Sequence, residues 1–189
     1  MTLKHTLYLI VLLLTIPMVS QEKSPSETFW ATLQSHCGNA YEGTLALPEE
    51  DEAFGGKRLV MHLRACSENE IKIPFYVGDD KSRTWILTMN EGILTLKHDH
   101  RHEDGTEDDI TLYGGTASNV GKSDFQFFPA DAYTQKMLPA AATNVWWITI
   151  DETTFTYNLK RLGTDRVFKV VMDLTKSIEA PEAPWGWKK

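Results

Sequence analysis

Two hydrophobic periods divide the chain. Between Glu27 and Ser35, Phe29, Trp30 and Leu33 fall on one face of a short helix. Ser26-Glu27-Thr28 offers its N-terminal cap, and Cys37-Gly38 ends it with Gly38 as a left-handed cap. From Tyr41 the period changes to two, the signature of strands with one buried face. The segments Tyr41 to Leu47, Lys57 to Cys66, Ile71 to Val77 and Arg83 to Met89 read this way, as does a hairpin from Ile93 to Tyr113. Asp124 to Phe128, Asn144 to Ile150, Thr154 to Arg161 and Arg166 to Leu174 complete the set. Pro74 marks an edge or a bulge in its strand. A second helix is expected over Pro129 to Leu138.

Short strands in meander order, separated by tight turns, close most economically as one antiparallel barrel. The expected fold is therefore mainly β: a single antiparallel meander barrel of about 8–10 strands, with a short N-terminal helix and one short late helix. With 189 residues, one domain with a real core is expected rather than two. Its expected bounds are 27–179, after a mobile polar leader over 21–26 and before a Pro/Trp tail over 180–189. Trp185 and Trp187 would dock on the body or engage a partner, which makes a cell-envelope interaction module one reading of the tail.

The N-terminus has the layout of an export signal. Lys4 and His5 precede the apolar run Leu7 to Thr15, and Pro17 follows. A signal peptide over 1–20 is expected, which implies a periplasmic or extracellular protein. The run is short for a membrane span, and no second one follows, so no transmembrane segment is expected in the mature chain. Loss of Lys4 with this segment takes the formal charge from −7 to −8. An acidic chain with no basic stripe is a poor ligand for nucleic acid. In an exported protein, Cys37 and Cys66 read as a disulfide. The loop it closes is worth roughly 3–4 kcal/mol in the chain-entropy model.

The chemistry concentrates in the hairpin. His98, His100 and His102 alternate along one strand and therefore share a face. With Asp104-Gly105 as a two-residue turn, His102 faces Glu107, His100 faces Asp109 and His98 faces Thr111. With Glu91-Gly92 as the preceding turn, Trp85 faces His98, Arg83 faces His100, Leu87 faces Leu96 and Met89 faces Leu94. Leu87, Met89, Leu94, Leu96 and Tyr113 identify this face as the interior. The histidines then stand where an apolar lumen gives way to a polar mouth.

Three readings of this cluster stay open. Arg83, Trp85, His98, His100 and Tyr113 can orient the polar or anionic head of a small apolar or amphiphilic ligand. Alternatively, His98, His100, His102, Asp109 and Glu107 supply metal ligands. Residues i and i+2 on a strand lie about 6.6 Å apart, so two histidines and Asp109 could hold a transition metal. The third reading is a hydrogen-bonded network without an ion. Whether the protein is an enzyme stays open. There is no GxSxG, HExxH, P-loop or GxGxxG motif, which weakens serine hydrolase, zincin, NTPase and dinucleotide readings. The acidic loop Glu49 to Glu52 lacks an EF-hand pattern.

The meander of strands, with one leading and one late helix, resembles the calycin group of lipocalin-like barrels. Tyr41-Glu42-Gly43 stands near where lipocalins carry Gly-x-Trp, but it lacks the Trp. The stretch Leu96 to Gly105, LKHDHRHEDG, is also similar to one in uncharacterised secreted bacterial proteins. The first resemblance implies a ligand-holding barrel; the second implies no activity.

Overall fold

The structure is a computed structural model and describes residues 22–187. The expected signal segment 1–20 lies outside these residues. The sheet runs β7-β6-β5-β4-β2-β1-β11-β10-β9-β8, every pair antiparallel. These are β1 Ala40–Leu47, β2 Leu59–His62, β4 Glu70–Val77, β5 Asp80–Asn90, β6 Ile93–His100 and β7 Tyr113–Thr116. They continue as β8 Phe125–Pro129, β9 Asn144–Ile150, β10 Thr154–Arg161 and β11 Val167–Ile178. β3, Ala65–Cys66, pairs with β4 beside β2. The result is a nearly closed ten-strand meander barrel around one apolar core.

Several boundaries differ from the sequence reading. Helix α1, Pro25–Ser35, starts two residues earlier than expected. Ser24 rather than Ser26 caps it, in a reciprocal box with Glu27, and Pro25 opens its first turn. Helix α2, Ala132–Met137, starts later, because Asp131 caps it and Pro129 still belongs to β8. Pro74 does not lie on an edge strand. Met61 pairs with Phe75 and Ala65 with Lys72, so one extra residue bulges where β2 gives way to β3. Pro74 sits at that break, where its missing N–H leaves no ladder bond unmade.

One end of the barrel is plugged. Phe29, Trp30 and Leu33 of α1 are buried in the core. Trp30 Nε1 donates to the Glu68 carbonyl at 3.0 Å, and Gln34 Nε2 to that of Ser67 at 3.0 Å. The Cys37–Cys66 disulfide ties the end of α1 to β3. Such a bond fits an oxidising, extracytoplasmic compartment. No helix among the described residues is long and apolar enough to cross a membrane.

The C-terminal tail is docked along the outer wall. Tyr76 Oη donates to the Glu182 carbonyl at 2.8 Å, Trp185 N to the Lys81 carbonyl at 3.2 Å, and Lys81 pairs with Glu182. Beneath this region, Ala40, Val60 and Tyr76 form a small second apolar cluster on the outer face. His62 faces the same side and is also buried.

The seam between β7 and β8 is held without a regular ladder. Thr134 Oγ1 accepts from Gly114 N at 2.7 Å and donates to Gly114 O at 2.8 Å, while Asp131 N donates to the same carbonyl at 3.0 Å. This closure needs bare backbone. A Cβ on Gly115 would stand 1.8 Å from the Pro129 carbonyl oxygen. Gly115→Ala is therefore expected to part the seam and cost about 1–3 kcal/mol, read as a lower midpoint in urea unfolding. Ser118→Ala, at an exposed position nearby, serves as control and is expected to stay within about 0.5 kcal/mol of wild type.

Candidate functional site

The β5–β6 hairpin has the register expected from its turn. Asn90 pairs with Ile93, leaving Glu91-Gly92 as a two-residue loop with both φ positive, at 48° and 78°. These signs are those of a type I′ turn, which suits the twist of the strands. Trp85 then lies opposite His98, Arg83 opposite His100 and Leu87 opposite Leu96. Trp85, His98, Leu87, Leu94 and Leu96 are all buried, so the face points inward as expected.

The second arm of the expected hairpin is different. Its turn is Glu103-Asp104-Gly105, with His102 N donating to Thr106 O at 2.9 Å and Gly105 N to His102 O at 2.9 Å. Gly105 has φ +88°, so the turn takes the three-residue form with a left-handed glycine. The extra residue places Arg101, not His102, opposite Glu107. A slip by one exchanges the faces of a strand. His102, Glu107 and Asp109 consequently lie exposed in the loop. Glu107 pairs instead with Arg101, at 3.1 Å.

Three steps separate His98 from Arg101, whereas six separate Glu107 from Tyr113, so the returning arm loops out before β7 begins. His98 thereby faces Tyr113 rather than Thr111. Among the described residues, no group of three or more His, Cys, Asp or Glu side chains is gathered as a metal would require. The expected cluster of three histidines with Asp109 and Glu107 is thus not assembled.

What the barrel assembles instead is an aromatic and arginine site. A cavity of about 180 Å³ opens at the end opposite α1. Arg83, Trp85, His98, His100 and Tyr113 all line it, together with Trp146, Tyr157, Arg161 and Arg166. Trp85 stacks on Phe75 at 4.6 Å and on Tyr157 at 4.4 Å between ring centroids; His98 stacks on Tyr113 at 4.6 Å. Phe54, from the β1–β2 loop, packs against Phe168 at 4.7 Å, with the Arg83 guanidinium 5.4 Å from its ring centre. Arg83 also pairs with Asp80. Arg161 Nε donates to Asn144 Oδ1 at 2.9 Å.

His98 bridges three strands. Its Nδ1 lies 3.0 Å from the Tyr113 carbonyl and its Nε2 lies 2.6 Å from the Tyr157 hydroxyl. A carbonyl only accepts, so Nδ1 carries the proton and Nε2 accepts from Tyr157. Burial holds the imidazole neutral and lowers its pKa to about 3. Burial likewise pushes Tyr157 well above the ordinary phenol range and Tyr113 up to about 12. The Tyr113 hydroxyl lies 3.0 Å from His100 Nε2. His100 is lowered by burial first and by Arg83 second.

Arg83, Trp85, His98, His100 and Tyr113 are the ligand-orienting residues named from the sequence. Trp146, Tyr157, Arg161 and Arg166 stand beside them at the same cavity. The inward face of β10, with Phe155, Tyr157 and Leu159 alternating, was the signal for Tyr157. No protein-family model, curated protein or solved structure matches the chain.

Two outcomes follow from the His98 bridge. Tyr157→Phe leaves Nε2 buried without a donor and is expected to cost about 1–3 kcal/mol in chemical unfolding. The second is an acid transition. The unfolded chain protonates His98 near 6.5, but the folded chain does so only near 3. Between these values the unfolded state binds the extra proton, so stability falls as pH drops from 6.5 toward 3, by about 1.4 kcal/mol per pH unit at most. His36, His62 and His100 are lowered as well and add in the same direction. Unfolding followed against pH is expected to lose about one proton of this linkage in His98→Gln.

Proposed function

We propose that the protein is an exported small-molecule-binding barrel whose lumen holds a compact, partly apolar ligand with its polar head toward the mouth. The observation that carries this reading is the cavity itself. It is a concave site lined mostly by aromatic and aliphatic side chains, with a few convergent polar groups at one end, the usual composition of a ligand site. The protonation states of its interior favour binding over acid–base chemistry. General acid–base groups work best with a pKa near the operating pH, whereas burial drives His98 down to about 3 and Tyr113 up to about 12. The His98–Tyr157 pair is then a fixed neutral link that shapes the lumen.

The test is native mass spectrometry of protein purified without a tag from its export compartment, beside a Leu159→Trp variant that fills the cavity. A retained small molecule present in the wild type and absent from folded Leu159→Trp is expected. The same molecule retained equally by both proteins, or none retained by wild type after exposure to a cell extract, counts against a lumenal binding site.

A further inference from the structure

The cavity's size, ring lining and unpaired cations together specify a ligand class, an inference that rests on the binding reading above. We infer that the site takes a single-ring aromatic anion, with its ring seated among Trp85, Tyr157 and Trp146 and its negative group at Arg161 and Arg166.

Size sets the first limit. A dry apolar cavity of about 150 Å³ accepts one benzene, and sites for drug-sized ligands run to about 300–1,000 Å³. At about 180 Å³, the interior has room for one ring and a small substituent, and a long acyl chain or a fused-ring lipid would have to extend out through the mouth.

Surface chemistry sets the second. The walls are aromatic side chains already ordered by mutual stacking, which favours a flat aromatic guest over a flexible aliphatic one. Rigid walls also lower the entropy cost of binding.

Charge sets the third. None of the residues lining the cavity is an Asp or Glu. Arg83 already has Asp80, but Arg161 and Arg166 form no ion pair with a carboxylate among the described residues. The whole chain has 26 acids against 19 basic residues, so two unpaired arginines at its one aromatic lumen run against the general composition. Planar guanidinium groups match a carboxylate through paired N–H donors. Asn144, buried beside Arg161 and lining the same cavity, fixes that guanidinium with a neutral amide and leaves its charge for the guest.

The experiment is calorimetric titration of the full-length mature protein with three probes of similar size: phenylacetate, benzyl alcohol and hexanoate. Phenylacetate is expected to bind at least tenfold more tightly than either of the others. Arg166→Gln, at an exposed position that no core packing depends on, is expected to weaken phenylacetate roughly tenfold while leaving benzyl alcohol unchanged. Arg161→Gln is expected to weaken it similarly. Hexanoate binding as well as phenylacetate overturns the aromatic part, and benzyl alcohol binding as well overturns the anionic part; either result leaves a lumenal binding protein. If none of the three binds, the inference falls. The mass-spectrometric result then decides whether the binding reading falls with it.

Discussion

The hydrogen bond from Tyr157 to His98 fixes the interior. It joins β10 to β6 across the lumen, and the other nitrogen of the same imidazole reaches the Tyr113 carbonyl on β7. β7 is also the strand that must meet β8 to complete the barrel. One neutral ring therefore connects the far wall, the near wall and the seam. An imidazole can do this because its two nitrogens offer one donor and one acceptor in a rigid plane. Leu at this position would fill the volume but leave the Tyr157 hydroxyl without the acceptor that ties it to β6. The arrangement also explains why the pair must be buried. In water each group would bond to solvent, and the cross-barrel link would contribute little net stability.

From this link the lumen divides into a neutral floor and a charged rim. Trp85, Tyr157, His98 and Tyr113 form a floor of stacked rings, in which His98 bonds the Tyr157 hydroxyl and the Tyr113 carbonyl. Arg83, His100, Arg161 and Arg166 stand above it around the opening. The separation follows from strand geometry. Arg83 and Trp85 are two residues apart on β5, as are His98 and His100 on β6 and Leu159 and Arg161 on β10. Each strand thus carries its apolar or neutral residue one pleat deeper than its polar one. Three strands repeating this order build the floor and the rim together, while α1 plugs the other end and leaves the rim as the route in.

This geometry also shows what the sequence could and could not disclose. The type I′ turn at Glu91-Gly92 is short and has strict conformational demands, so the partners of Trp85 and Arg83 were legible from spacing alone. The Asp104-Gly105 dipeptide suits a two-residue turn as well as a three-residue one, and the turn that forms uses Glu103 as a third loop residue. That single residue shifts the returning arm, so Glu107 lies opposite Arg101 on the outer face and does not meet His102. Local sequence hardly distinguishes the two turns, because Asp-Gly serves both. The decision falls to the outer face, where Arg101 binds Asp99 and Glu107 together. Asp99 is buried and takes a further bond from Thr111, so Arg101 is anchored and carries Glu107 outward with it. The meeting of Tyr157 with His98, and the place of Arg166 at the same lumen, were illegible for another reason. Both arise through the closure of the barrel, from segments far along the chain, and no local pattern records them.

The charge of the chain bears on how an anion would be selected. A formal charge of −7 gives a field that opposes approach of any anion. At physiological ionic strength that field decays over about 8 Å, whereas Arg161 and Arg166 act on a guest within contact distance. Repulsion at long range then slows the arrival of every anion alike. Discrimination falls to the lumen, where an aliphatic anion gains the same arginines but not the ring contacts. A neutral ring gains the contacts but leaves the guanidinium groups as they were. On the proposed reading, each half of the site alone would bind weakly, because a cavity of about 180 Å³ buries little area. Selectivity in so small a lumen has to come from satisfying both halves with one short molecule, and the distance from floor to rim, one strand pleat, sets how short that molecule must be.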